Sequence, residues 1–230
     1  MRTNSFGQPI GEALPGWVPP FAPARTAMLG RYCHLQPIDE RFVPELFAAA
    51  SHDREGSTWT YLPYGPLASE NDYRQWVTTA CLGDDPLFFV LIDAATGRAV
   101  GQASYLNIKP AHGSIEVGHL YFSPLARRTR VATEAMFLMM RRAFETGYRR
   151  YEWKCDALNA PSRAAAERFG FTYEGIFRQA TVVKGRNRDT AWYAAIDGEW
   201  PRLAAAFEAW LAPENFGASG QQKRRLESFR

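Results

Sequence analysis

"SPLARRTRVATEAM", residues 123–136, decides how this chain is read. It leaves a proline turn, passes three arginines (Arg127, Arg128 and Arg130) and enters a run able to form a helix. A helix start offers several unpaired N–H groups and the positive end of the helix dipole. A loop that aims its own N–H groups at the same point adds an anion-binding nest. A diphosphate docks there without a catalytic side chain, provided the backbone can come close. Ala126, Ala132 and Thr133 are small enough to allow it, although the loop has no glycine. Two readings follow: a diphosphate cradle, or a solvated basic turn at the head of a helix.

The surroundings place this loop in a fold. Before it, "PLFFVLID", "RAVGQASYLNI" and "SIEVGHLYFS" are strand runs joined by "AATG" and "KPAHG", an antiparallel meander. After it comes a helix over residues 131–146, apolar almost all round and capped by Gly147, and then the strand "RRYEWKCDA". A helix crossing between two strands makes them parallel neighbours. Upstream, a strand near residues 31–35 leads to a helix started by Asp39, with Phe42, Val43, Leu46 and Phe47 on one face. The proline-broken "STWTYLPYGPLAS" follows, and Ser69 with Asp72 caps a second helix ending near Gly83. Downstream, Pro161 starts a short helix ending at Gly170. A hairpin turns at "GRNR", and a last helix covers residues 199–211. The expected fold class is α/β: a mixed, mostly antiparallel sheet with helices on both faces and a central parallel strand pair. Residues 1–27 read as an extended arm anchored by Trp17 and Phe21, residues 28–211 as the domain, and residues 212–230 as a polar tail without structure.

Composition narrows the function. Lys plus Arg is 27 against 24 for Asp plus Glu, a net charge of +3, too slight to imply nucleic acid. The cysteines Cys33, Cys81 and Cys155 are far apart, with neither metal spacing nor a disulfide framework, which suits a reducing interior. The N-terminus lacks a signal-like apolar core, and no apolar run could span a bilayer. The expectation is a soluble cytoplasmic protein, with no nucleic-acid or membrane partner and room for a homodimer at the aromatic hairpin.

The element order and the loop resemble the GNAT acyltransferases, whose signature here is Gln/Arg-x-x-Gly-x-Gly/Ala. This chain reads Arg127-Arg128-Thr129-Arg130-Val131-Ala132. Arg127 and Ala132 match, whereas Arg130 replaces the internal glycine, so a negative φ and an outward side chain are expected at Arg130. The second half is similar to the RimJ/RimL branch, which acetylates protein N-termini and, in relatives, small amines. The matching residues are Lys154-Cys155, Asn159-x-x-Ser162, Phe171, Glu174-Gly175, Gln179-Ala180, Gly185 and Asp189, within a resemblance spanning about residues 28–198.

The resemblance implies acetyl-CoA as cofactor and assigns roles. Residues 127–133 (Arg127, Arg128, Thr129, Arg130, Val131, Ala132 and Thr133) would hold the diphosphate. A bulge near Gly118 would free backbone groups for the pantetheine along Leu120, Tyr121 and Phe122, with an N–H near Leu120 facing the thioester oxygen. Alternatively, that strand is ordinary and Gly118 is a packing glycine. Ser162 matches the RimL-type serine that donates to the departing sulfur, with Asn159 on the cofactor's arm; alternatively, both only shape the helix start. The family's glutamate after Gln-Ala is Thr181 here, so Glu116 is the candidate general base; alternatively, it is a surface charge on its strand. His119 is the other candidate, although strict alternation puts it on the opposite face unless a bulge intervenes. Trp59, Tyr61, Tyr64, Arg178, Asp189 and Trp192 fall where the family binds substrate, and would suit a cationic amine beside a flat group. They could equally fill core or a dimer interface.

The expected function is acetyl-CoA-dependent N-acetyl transfer to a primary amine, small or at a protein N-terminus, by direct attack in a ternary complex. No motif places a cysteine as nucleophile. The alternative is a non-catalytic acyl-CoA or peptide-binding module of the same fold.

Overall fold

The run "LFFVLID" is apolar at every position but its last, so a strand made from it needs cover on both faces. The computed structural model, which describes residues 2–230, provides that cover. The arm begins with a small ribbon, β1 (Arg2–Thr3) paired with β2 (Pro9–Ile10). The main sheet contains β3 (Met28–Leu29), β4 (Cys33–Pro37), β5 (Leu87–Asp93), β6 (Ala99–Lys109), β7 (Ser114–Phe122), β8 (Arg150–Asp156), β9 (Thr172–Val183) and β10 (Arg186–Ile196). Their spatial order is β3-β4-β5-β6-β7-β8-β10-β9. Every neighbouring pair is antiparallel except β7 and β8, which are parallel.

Helices α1 (Val43–Ala50) and α2 (Glu70–Trp76) lie on one face, where Val43, Leu46 and Tyr73 share a core with Phe88, Val90 and Ile92. Helix α2 runs on into a wider π-helical turn, Val77–Cys81. Helices α3 (Arg130–Glu145), α4 (Ala160–Phe169) and α5 (Trp200–Leu211) contribute to the core on the other face with Leu87, Phe89 and Leu91. All residues of α3 from Val131 to Met140 are buried, because α5 covers its outer side. Phe207 stacks on Phe137 at 5.4 Å and Trp200 on Phe144 at 5.2 Å. This explains a helix apolar all round, which would be insoluble on a one-sided surface.

One carboxylate sits inside this apolar helix. Glu134, 4% exposed, accepts N–H groups from Arg31 at 2.9 Å, Tyr32 at 2.5 Å and Cys33 at 2.6 Å. A Cβ on Gly30 would lie 2.5 Å from its carboxyl, so that approach requires glycine. The contact spans about a hundred residues of sequence and explains why the strand begins at Cys33, slightly later than its residue pattern suggests.

Two terminal expectations are corrected. Residues 212–230 fold back onto the domain: Leu226 is fully buried, and Asn215 ties the tail together by donating to the Trp210 carbonyl and accepting from the Arg224 N–H. Their polar residues do not prevent this because Phe216 and Leu226 supply two apolar anchors. In the arm, Trp17 does pack, against Gly113 and under Arg149, but Phe21 is 92% exposed, and Pro20 and Pro23 are the buried residues.

Replacing Glu134 with alanine strands three N–H groups at the start of β4. The expected loss is about 3 kcal/mol, at roughly 1 kcal/mol or more for each stranded donor. Glu134→Gln should lose less, since its amide oxygen still accepts. Urea denaturation of the three proteins checks the order; equal stabilities would remove Glu134 as the tie.

Candidate active site

The parallel pair positions the site. β7 and β8 run in register from Ser114 opposite Arg150 to Val117 opposite Trp153, and there the pairing stops. Beyond that point β7 remains bonded to β6, and β8 to β10. Each strand follows its outer neighbour, and a wedge opens between them.

The bulge that turns β7 away is real, but it lies one step beyond Gly118. Gly118 pairs with Ser104 and Tyr121 with Gln102, so His119 and Leu120 together oppose Ala103. The left-handed residue is His119, with φ +50°. The extra residue breaks the alternation: the His119 ring lies between Tyr64, at 5.6 Å, and Phe88, at 5.0 Å. Phe88 opposes Ser104, and Ser104 opposes Gly118, so this is also the face of Glu116. Burial in that aromatic setting lowers the His119 pKa from 6.5 to about 4, leaving a neutral imidazole near pH 7. Its Nδ1 has no hydrogen-bond partner among the described residues.

Glu116 is 5% exposed. Its Oε2 accepts from Lys154 Nζ at 2.7 Å and from Asn107 Nδ2 at 2.7 Å, while Oε1 makes no hydrogen bond among the described residues. Burial raises its pKa, opposed by the hydrogen bond and charge of Lys154 and by Asn107. Lys154 also reaches Glu152 at 2.8 Å, and Arg150 joins Glu152 to Glu174. A line of alternating charge thus crosses β7, β8 and β9. Lys154 Nζ lies 3.9 Å from the centre of the Trp192 ring, so the face of that ring already carries a cation.

These residues edge a cavity of about 300 Å³, with Asn107, Glu116, Lys154, Phe177, Arg188 and Trp192 among its walls. Thr181, which stands where the family's glutamate was expected, also lines it. Of the expected substrate residues, Trp192 is in this wall and the others are elsewhere. Trp59 is buried, stacked on Tyr121 at 4.1 Å. Tyr61 donates to the Leu158 carbonyl, and Tyr64 stacks on Trp76 at 4.5 Å. Asp189 accepts from the Gln179 N–H at 2.7 Å and from Asn187, shaping an irregular stretch of the β9–β10 hairpin; Arg178 is exposed on β9. Sequence reasoning gave no role to Arg188 or Asn107, and quoted Lys154 only as a matching residue. Asn107 reaches Glu116 across the β6–β7 pair, whereas the pairing of β8 with β10, invisible in the linear pattern, sets Trp192 opposite Lys154 and brings the hairpin that carries Arg188 to the same wall.

On the wedge's other side, Ser162 Oγ accepts the Trp153 indole N–H at 3.0 Å, leaving its own O–H free to donate. Asn159 caps α4 by accepting the Ser162 N–H at 3.1 Å. The two residues are thus a helix start and are held at the wedge at the same time.

The loop is a tight turn closed by its own hydrogen bonds. Ala126 and Arg127 donate to the Ser123 carbonyl, and Thr129 Oγ1 donates to the Ala126 carbonyl at 2.6 Å. Arg128, not Arg130, takes the left-handed conformation, with φ +60°. Arg130 begins α3, so the N–H groups of Arg130, Val131 and Ala132 have no intrahelical acceptor. The Arg130 side chain is not turned into solvent: its guanidinium lies 4.3 Å from the Tyr32 ring centre and 5.6 Å from that of Phe216. Arg168, from α4, donates to Thr133 Oγ1 at 3.1 Å and brings a further cation to the first turn of α3. Of the residues expected to lie along a cofactor arm, Tyr121 is buried, whereas Leu120 and Phe122 are partly exposed. No cluster of three His, Cys, Asp or Glu side chains able to hold a metal occurs among the described residues, and no helix among them is long and apolar enough to cross a membrane.

Comparison with known proteins gives this geometry its family. Residues 33–172 match the acetyltransferase (GNAT) domain family. A GCN5-related N-acetyltransferase from Brucella melitensis is 50% identical, with a TM-score of 0.92 over 94% of this chain and 99% of that one. A GNAT-family protein from Chromobacterium violaceum is 44% identical, with a TM-score of 0.79 over 84% of this chain and 97% of that one. RimL, a ribosomal L7/L12 alpha-N-protein acetyltransferase solved with coenzyme A, shares the fold at 20% identity, with a TM-score of 0.61 over 74% of this chain and 98% of that one. No curated protein sequence matches. With a family match across more than half its length and two relatives above 40% identity, the chain belongs to the GNAT acetyltransferase family.

Proposed function

We propose that this protein is an acetyl-CoA-dependent N-acetyltransferase that delivers the acetyl group to a primary amine by direct attack in a ternary complex. One observation carries the reading: two parallel strands part after Val117 and Trp153, and β7 then leads into a glycine-free nest at the start of a sixteen-residue helix. The three leading N–H groups of α3, the left-handed Arg128 and the small Ala132 fit a diphosphate. Acetyl-CoA supplies an acetyl group on a sulfur whose thiol has an ordinary pKa near 8.5, already a fair leaving group.

The chain's own residues divide the remaining work. Ser162, fixed by the Trp153 indole, holds an O–H at the wedge for the departing sulfur. Backbone N–H groups at the His119–Leu120 bulge polarise the acyl oxygen. Glu116 removes the proton that an attacking ammonium must lose, through its unoccupied Oε1 or a water. Burial makes it a stronger base than an exposed carboxylate, and Lys154 and Asn107 hold it in place. His119 is a poorer base, because its depressed pKa leaves little driving force to take a proton.

The Asn159-x-x-Ser162 frame, with Asn159 capping the helix that carries Ser162, supports a place near the RimJ/RimL branch. A protein N-terminus and a small-molecule amine both lie within that branch's range.

Calorimetry should detect acetyl-CoA and CoA binding to the purified protein; no heat with either would defeat the reading. Glu116→Gln should lower kcat by about 100-fold, in the range for a general base, with little change in CoA affinity. Ser162→Ala should cost less, about ten-fold, because thiolate departs readily. In the wild-type enzyme kcat/KM should fall with decreasing pH through a carboxylate pKa above the usual glutamate value, since the ionised form is the base. Glu116→Gln should lose that acid limb, whereas His119→Gln should keep it. Full activity in both the Glu116 and Ser162 variants across pH would show that the chemistry lies elsewhere.

A further inference from the structure

Building on that function, the cavity beside Glu116 points to a substrate class. Three charged side chains line it: Glu116, Lys154 and Arg188. The first two neutralise each other across 2.7 Å, and Lys154 is further held by Glu152. Arg188 forms no ion pair among the described residues, and its Nε is buried without an acceptor. The Trp192 Nε1, in the same wall, is also buried without one. The cavity wall therefore carries one cation without an ion-pair partner, beside two shielded N–H groups that lack acceptors. A shielded N–H without an acceptor is costly, and the rest of the partly exposed Arg188 guanidinium is left without a protein anion.

The same walls argue against a plain cationic ligand. The Trp192 face is occupied by Lys154 Nζ, and Asp189 is engaged by Gln179 and Asn187. A second cation would meet Arg188 and Lys154, with Glu116 and Glu152 already engaged by Lys154.

We infer that the acceptor amine carries an anionic oxygen group, a carboxylate or a phosphate, which Arg188 binds in this cavity, while the amine faces Glu116. Arg188 suits this role because guanidinium forms paired hydrogen bonds to carboxylate and phosphate alike. The acceptor is then an amino acid or an aminoalkyl phosphate in its chemistry, rather than a polyamine.

Matched probes test this: glycine against glycinamide, and 2-aminoethyl phosphate against ethanolamine, followed by CoA release. The anionic member of at least one pair should show kcat/KM at least ten-fold higher, and the responding pair identifies carboxylate or phosphate. Arg188→Gln should erase that preference mainly through KM, by about 100-fold, as for truncating one partner of a buried charge pair. Arg188→Lys should restore part of it, which separates anion binding from loss of folding. Equal use of charged and neutral members, or a preference that survives Arg188→Gln, would overturn the inference while leaving the transferase reading intact. Calorimetry with N-acetylglycine and N-acetylglycinamide, and with the N-acetylated aminoethyl phosphate and ethanolamine, on the CoA-saturated protein gives a readout independent of turnover. Tighter binding of an anionic product, lost in Arg188→Gln, supports the anion site even if no amine is acetylated, an outcome that would instead sink the transferase reading. Equal binding within both pairs overturns the anion site.

Discussion

The Val117–Trp153 rung is the constraint on which this molecule turns. Up to it, the sheet is continuous; beyond it, hydrogen bonding no longer holds β7 to β8. Backbone N–H and C=O groups need partners, so two strands can part only where something else takes up those groups. Each strand keeps its outer ladder, β7 with β6 and β8 with β10, so the groups that face the wedge are left for water or a bound ligand, and the bulge at His119 and Leu120 adds local twist. Trp153 is buried at the last rung, against Phe169 and Phe171, and spends its only side-chain donor on Ser162. One residue thus packs the base of the wedge and orients a hydroxyl at its edge.

The fold was legible because its signals are local and periodic. The meander declares itself in short turns between apolar runs, and the parallel pair follows from a helix interposed between two strands. The caps at Asp39 and Ser69 were readable from residue type and occur as expected, with Asp39 accepting the Arg41 N–H and Ser69 the Asp72 N–H. The tail was misread because composition averages over it: two buried side chains, Phe216 and Leu226, outweigh a charged run. The site was legible only in part. Glu116 and Ser162 lie on elements whose neighbours are fixed by sequence order. Trp59 and Asp189 were attractive as chemistry, but the pairing partners that claim them, Tyr121 and Gln179, come from other strands. Arg188 carried no sequence signal at all, since an arginine in a hairpin normally reads as a solvated charge.

For the proposed role of Glu116 as general base, its ion pair with Lys154 acts in two opposing ways. A close cation stabilises the carboxylate and weakens it as a base, whereas burial strengthens it; the net displacement is upward, so burial wins. Lys154 is in turn shared with Glu152, whose pKa is raised by burial but lowered more by hydrogen bonds from Lys154 and Arg150. Sharing leaves less of the lysine's charge to act on Glu116 alone. In that proposal Lys154 is a positioning residue. Together with Asn107 it fixes one carboxylate oxygen and leaves the other without a hydrogen bond among the described residues.

The glycine-free loop resolves the remaining conflict between motif and residue. A nest needs one left-handed residue, and a glycine would supply it without strain. Here Arg128 takes that conformation, where a side chain costs roughly 1–2 kcal/mol. Neighbouring contacts offset this cost. The Thr129 hydroxyl closes the turn onto the Ala126 carbonyl, and Ala126 is itself fully buried. Arg130, freed from the left-handed position, starts α3 and lays its guanidinium near Tyr32 and Phe216. Phe216 belongs to the folded-back tail, and Tyr32 lies in the segment whose N–H groups Glu134 binds. Arg130, which stands where the family signature has glycine, thus ties the loop to the folded-back tail and to the first strands of the main sheet. Rigidity that a glycine loop would lack is supplied by side-chain packing, and a preformed cradle gives up less conformational freedom when an anion docks.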